Sequence, residues 1–168
     1  MMTAMLMAVC AKAQDDAVYA FGYDKKGEFT NVRNAPNGKV VDKIPTSHAT
    51  IFVLVSPCDG WWRVAGDAYE DMDVNEGQEE IMLHGSTTGY WIHHSVVACD
   101  TRNYGNETLY LKELPRKNSK TTATVNGQML VHPIDVSGDW TKVKLANSSQ
   151  TGWIETVWLC SNPVTTCP

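Results

Sequence analysis

Short apolar runs broken by turn residues dominate the chain. Ile51-Phe52-Val53-Leu54-Val55 leads into a turn from Pro57 to Gly60 and then into Trp61 to Val64. Further on, Gln128 to Ile134, Ser137-Gly138-Asp139 and Trp140 to Leu145 repeat the arrangement. Runs of about four to eight residues, rich in β-branched and aromatic side chains and bounded by Gly, Pro, Asn and Asp, predict strands joined by tight turns. The fold class expected is therefore all-β.

The two halves also align with each other. Asn31 to Pro36 falls on Tyr110 to Pro115, and Trp61-Trp62-Arg63-Val64 on Trp140-Thr141-Lys142-Val143, both with an offset of 79 (115 − 36 and 140 − 61). Trp91-Ile92 falls on Trp153-Ile154 with an offset of 62 (153 − 91), so the first half carries about 17 more residues between its Trp motifs (79 − 62). A tandem repeat with one insertion is predicted. The map is a first domain over 14–100, with the insertion at about 66–88, and a second over 101–168, with a linker near Asp100 to Asn106. Units of this size made of short strands suit small β-barrels, whose closure removes exposed edges.

Composition narrows the function classes. Of 168 residues 43% are hydrophobic and 20% charged, enough for one sizeable core or two small ones. The formal charge of -5 argues against a phosphate backbone as partner, so no nucleic acid is expected.

Residues 1–13 read as a secretory leader. Met1 to Ala11 holds a single polar residue, Thr3, and Ala11-Lys12-Ala13 offers an A-x-A cleavage site. The run is shorter than the roughly 20 apolar residues a membrane span takes. Lipidation at Cys10 is the competing reading, disfavoured by the bulk of Val9. The missing leading Lys or Arg leaves open a start upstream of Met1. With the leader removed, Cys58, Cys99, Cys160 and Cys167 remain, and an even count in an exported chain implies disulfides. Four cysteines permit three pairings, which the sequence does not decide. The expectation taken forward keeps each bridge inside one half, Cys58 with Cys99 and Cys160 with Cys167. Zinc is disfavoured, because no C-x-x-C and no Cys near a His in ligand spacing is present.

An N-V-R-x-x-P run at Asn31 to Pro36, W-W-R-V after a D-G turn at Asp59-Gly60, and a closing G-Y-W-I at Gly89 to Ile92 or T-G-W-I at Thr151 to Ile154 together resemble the bacterial SH3-like domain family. The resemblance covers most of residues 17–160, twice, and is weaker in the second copy, where Tyr110 and Lys112 replace the leading Asn and Arg. It implies two small SH3-like β-barrels in tandem, exported and periplasmic or extracellular, that recognise a cell-envelope component, cell-wall peptide or glycan, or another protein. Family members often accompany cell-wall hydrolases. Once both repeats are subtracted, no room is left for a catalytic domain with its Cys nucleophile and His base, so no enzyme and no cofactor are expected.

Strand alternation selects the candidate contacts. Trp61 shares a face with Arg63, Trp140 with Lys142, Trp91 with His93 and Trp153 with Glu155, while Trp62, Ile92 and Ile154 point to the core. Trp61 and Trp140 are the leading ligand contacts, with Trp91 and Trp153 behind them. Packing over the barrel ends is the alternative for Trp61 and Trp140 and the leading reading for Trp91 and Trp153. Tyr69 and Tyr90, present only in the first repeat, are expected to enlarge its groove, making that repeat the one that carries specific contacts. Arg33 is read as a surface salt bridge ahead of a ligand carboxylate contact.

The insertion carries Asp67, Glu70, Asp71, Asp73, Glu76, Glu79 and Glu80 with no Lys or Arg, and reads as a solvated loop. Asp71 to Asn75 imitates the start of a calcium loop, but Gly77 comes one position late and Met82 stands at the twelfth position. No metal is expected there. His93 and His94, if both in a strand, point to opposite faces, which disfavours a shared metal site with His84. The alternative to an envelope-binding module is a partner or inhibitor of a secreted protein that uses this acidic loop. A third reading, an enzyme built on the His and carboxylate cluster around 67–94, ranks last.

Overall fold

The computed structural model of the chain describes residues 16–73, 77–164 and 167, so the expected leader lies outside the described residues. The chain is all-β. The first half contributes β1 (Val18–Gly22), β2 (Phe29–Arg33), β3 (Val40–Pro45), β4 (Ala49–Cys58), β5 (Trp61–Val64), β6 (Ala68–Asp73), β7 (Gly77–Met82), β8 (Trp91–His93) and β9 (Val97–Thr101). The second contributes β10 (Thr108–Lys112), β11 (Thr121–Asn126), β12 (Leu130–Ser137), β13 (Trp140–Leu145), β14 (Thr151–Glu155) and β15 (Leu159–Cys160). Asp59 and Gly60 both hold positive φ (47° and 83°), which gives the β4–β5 hairpin the tight turn that its D-G pair predicts.

The repeat holds at the level of strand register. Arg33 pairs with Trp91 as Lys112 pairs with Trp153, and Trp62 pairs with Ile92 as Thr141 pairs with Ile154. Bulges fall at matching places, between Val32 and Arg33 and between Leu111 and Lys112.

The same offsets expose something the sequence conceals. β1 lies on β9 with an offset of 79 (97 − 18), and β9 on β15 with 62 (159 − 97). Ala20 of β1 pairs with Phe52, and Cys99 of β9 pairs with Val131, 79 residues on in both cases. Gly22 pairs with Val97 at the end of the first unit, and Thr101 with Leu159 at the end of the second. The backbone bond from Tyr23 N–H to Val96 C=O (2.8 Å) recurs from Arg102 N–H to Trp158 C=O (2.9 Å). β9 is thus the last strand of the first unit and the first strand of the second.

Sharing β9 changes the expected architecture. The strands form one antiparallel path, β11-β10-β14-β13-β12-β9-β1-β4-β5-β8-β2-β3, that does not close into a barrel. A strand that must pair with β1, β12 and β15 ties the two units edge to edge. The buried side chains of both halves accordingly make one cluster, from Val18, Phe52 and Trp62 to Leu111, Val131 and Ile154. The segment expected as a linker begins inside β9 and stays packed. Thr101 Oγ1 donates to Asn103 Oδ1 (2.8 Å), and Asn103 Nδ2 donates to the Glu107 carbonyl (2.9 Å), with both side chains buried.

The insertion is a hairpin rather than a loop. β6 runs along β4 (Ile51 opposite Glu70) and turns back through β7. β4, ten residues long, carries β1 on one edge and β5 followed by β6 on the other. The pairing sets Glu70 opposite Glu80 and Asp71 opposite Glu79, an arrangement of like charges that weakens a ladder. His48 offsets part of it by meeting the Asp71 carboxylate.

The expected Cys58–Cys99 bridge is absent. Cys160 and Cys167 are bonded as expected, and Cys58 is disulfide-bonded, but Cys99 is a free thiol. The strand order gives the reason. β9 and β4 are separated by β1, so two inter-strand spacings, about 10 Å, lie between them, beyond the roughly 7 Å a disulfide spans between Cα atoms. Cys99 points into the core and donates to the Tyr19 carbonyl (3.1 Å).

Candidate functional site

The second unit carries an open aromatic groove. β13 and β14 set Trp140 opposite Glu155, and β10 runs on the far side of β14, so side chains of three adjacent strands meet over one hollow of about 200 Å³. Trp140, Tyr110 and Trp158 form its apolar surface, while Lys112, Lys117 and Glu155 supply charge. Tyr110 is 54% exposed. Lys112 Nζ sits 5.7 Å from the Tyr110 ring centre and 3.2 Å from Thr121 Oγ1. Lys117 pairs with Glu155 at 3.2 Å; both are solvated enough that this pair adds little to stability. The groove can take a flat or extended ligand against its rings and meet an anionic group with Lys112, which has no carboxylate partner among the described residues.

The equivalent place in the first unit is filled. Trp61, the counterpart of Trp140, is only 8% exposed, although alternation places it on the polar-flanked face. Two neighbours cover it. The Arg33 guanidinium stands 5.6 Å from its ring centre, and the His93 ring packs against it edge-on at 5.0 Å. Arg33 makes no salt bridge among the described residues; its Nη1 donates to the Gly38 carbonyl (2.6 Å), which aims it across the indole. In the second unit Glu155 replaces His93 and turns to Lys117, and Trp140 stays half-buried on the wall of the groove.

The other expected contacts are largely structural. Tyr69 is buried, stacks on Phe52 at 5.8 Å, and has its phenol pKa raised by burial first and then by Asp71 and Asp42. Tyr90 is buried and its hydroxyl donates to the Ser86 carbonyl (3.2 Å). Trp153 is buried and Trp91 half-buried, paired with Lys112 of β10 and Arg33 of β2 respectively. The groove lined by Trp140 thus lies in the second unit, whereas the Trp61 face of the first is covered.

A histidine cluster was not legible in advance. His93 ends β8, but His94 opens a 3₁₀ turn over His94–Val96, so the two do not alternate across a strand and their rings lie 4.5 Å apart. His132 of β12 brings a third ring to 6.3 Å from His94. Burial, together with His93, His132 and Lys144, lowers the His94 pKa to about 4, and its Nδ1 is buried with no partner. His84 lies apart from the cluster: its backbone N–H bonds Asp42. Among the described residues no group of three or more His, Cys, Asp or Glu is arranged to hold a metal ion.

Cys99, fully buried, has its thiol pKa pushed upward by burial and by Asp100. A thiol held protonated and out of solvent is a poor nucleophile. In a thiol-reagent assay Cys99 is expected to stay unreacted in the folded chain and to react once denaturant unfolds it. Reaction at the free-thiol rate under native conditions would show that β9 opens.

No protein family and no curated protein matches the chain. Among solved structures it is similar to NlpC1 from Trichomonas vaginalis, at 8% identity and TM-score 0.32, over 92% of this chain and 50% of that one. It is also similar to CBDP35 in its native structure, at 13% identity and TM-score 0.23, over 86% of this chain and 95% of that one. The chain spans about half the length of NlpC1. At these values neither likeness bears on the chemistry of the groove.

Proposed function

We propose that the chain is an exported, non-catalytic binding module of the bacterial SH3-like kind, which holds a cell-envelope component, peptidoglycan peptide or glycan, in the groove around Trp140. The observation that carries this reading is the half-buried Trp140 indole, which lines an open groove with Tyr110, Trp158 and Lys112. Tyr110, 54% exposed, beside the half-buried Trp140 gives a small β unit an open aromatic face, and binding is the usual reason for one. The Cys160–Cys167 bridge is compatible with export to an oxidising compartment. No helix among the described residues is long and apolar enough to cross a membrane.

The test is co-sedimentation of the disulfide-bonded chain with insoluble peptidoglycan, beside Trp140→Ala and Tyr110→Ala variants whose melting matches the parent. The parent pellets, and Trp140→Ala weakens binding by about 10-fold or more, as truncating a central aromatic contact does. If the parent stays in the supernatant, the envelope reading fails.

One observation favours a second reading. The hairpin β6–β7 retains like charges in register, Glu70 with Glu80 and Asp71 with Glu79. A basic face on a secreted partner protein would relieve that repulsion. Such binding weakens steeply between low and physiological salt, whereas binding by aromatic stacking hardly changes.

A further inference from the structure

We propose that His93, His94 and His132 form an acid-sensitive latch that keeps the Trp61 face of the first unit shut at neutral pH and releases it as the pH falls. The first unit then holds a second aromatic site, closed by its own side chains. His93 at the end of β8 packs on Trp61, and His94 in the following 3₁₀ turn packs on His93. His132 of β12 faces His94 and is held by a 2.7 Å bond between its Nδ1 and the Val97 carbonyl. Lys144 of β13 is paired with His132 in the ladder. Gly60, in the β4–β5 turn, lets these rings approach: a Cβ there would lie 3.2 Å from His94 and 3.4 Å from His93.

The chemical lever is a bond that exists only with neutral His93. Its Nδ1 lies 2.8 Å from Ser95 Oγ and accepts the Ser95 backbone N–H (3.3 Å), which caps the turn that carries His94. Once Nδ1 is protonated it has no lone pair for the Ser95 N–H and can only donate to Ser95 Oγ, so the backbone cap is lost. Cationic His93 and His94 then face His132 and Lys144 on one side, with Arg33 across Trp61 on the other. Carboxylates do not offset this. Asp59 in the adjoining turn is exposed, Asp135 of β12 accepts the Val136 N–H, and none of the three histidines forms an ion pair among the described residues. One contact between a charged imidazole and the Trp61 face does not outweigh that many like charges.

The sign follows from linkage. His94 titrates at about 4 when enclosed and near 6.5 when solvated, so the open form binds protons more tightly and acid favours it. From pH 7 to pH 5 the balance moves about 20-fold toward the open form, and below about pH 4 the gain levels off. The second unit is the internal control. Glu155 and Thr156 stand where His93 and His94 stand, and Trp140 already lines an open groove.

The experiment follows the Trp61 indole N–H by NMR from pH 7.5 to pH 4.5, assigned with Trp61→Phe. Its resonance and solvent exchange change between pH 7 and pH 5 while the rest of the spectrum stays dispersed. His94→Phe and His93→Gln, the latter able to accept the Ser95 N–H, suppress the change. A constant Trp61 signal in the parent, an equal response in the variants, or collapse of the whole spectrum overturns the latch. If the variants do not fold, the parent titration decides alone. That the opened face takes up ligand rests on the reading proposed above. Loss of that reading would appear as failed sedimentation, with the indole titration unaffected.

Discussion

Trp62→Ala removes about 3–5 kcal/mol of folding stability, read as a lowered urea midpoint with an unchanged slope. Trp62 is 0% exposed and heads the fully buried side chains by volume. Its deletion opens a cavity that strands on both sides cannot collapse to fill. The indole Nε1 also donates to the Pro133 carbonyl (2.8 Å) in the other unit, at the place where β12 bulges. Trp62→Phe keeps most of the volume but loses the bond, and costs about 1–3 kcal/mol because the buried carbonyl is left without a donor. Against the roughly 5–15 kcal/mol that a whole domain commands, the alanine variant stands near unfolding. A loss under 1 kcal/mol would mean that the two halves do not share a core.

A chain ending at Asp100 shows no cooperative unfolding transition and aggregates. It keeps every strand of the first unit but strips β9 of its pairing with Leu130 and Val131 and with Leu159 and Cys160. It also removes Leu111, Val125, Val131 and Val143 from the common cluster. What remains is a naked strand edge above an exposed apolar face, the combination that recruits other chains. Calorimetry and size exclusion of this fragment beside the full chain check it. A monomer that melts sharply would show that β9 completes the first unit alone, with the second an accessory.

The sequence revealed the duplication because large aromatics mark it: Trp61 on Trp140 and Trp91 on Trp153 keep both offsets. The shared strand was hidden because β1 and β9 have different neighbours to satisfy. VYAFG against VACDT keeps only the leading Val, Val18 on Val97. Alternation placed Trp62, Ile92 and Ile154 in the core correctly, but it says nothing about what folds over the opposite face. Trp61 was therefore expected to be open, although Arg33 and His93, distant in sequence, cover it. The acidic hairpin was obscured by composition, since Asp and Glu are poor strand formers and these strands are held by pairing, β6 to β4 and β7 to β6. His132 was missed because its approach to His94 depends on two units meeting, which no local pattern records.

A strand used twice also sets a timetable for synthesis. As the chain emerges from the ribosome, β9 arrives with β1 and β4 already available, but the partners of its other edge, from Leu130 onward, are still unmade. The bond from Trp62 to Pro133 spans 71 residues, so the first half waits through most of the second before its largest side chain is seated. Chains with such distant pairings fold slowly and expose apolar surface while they wait. Slowing translation between Thr101 and Leu130 would lengthen that interval and lower the yield of native protein, and a chaperone that shields strand edges would restore it.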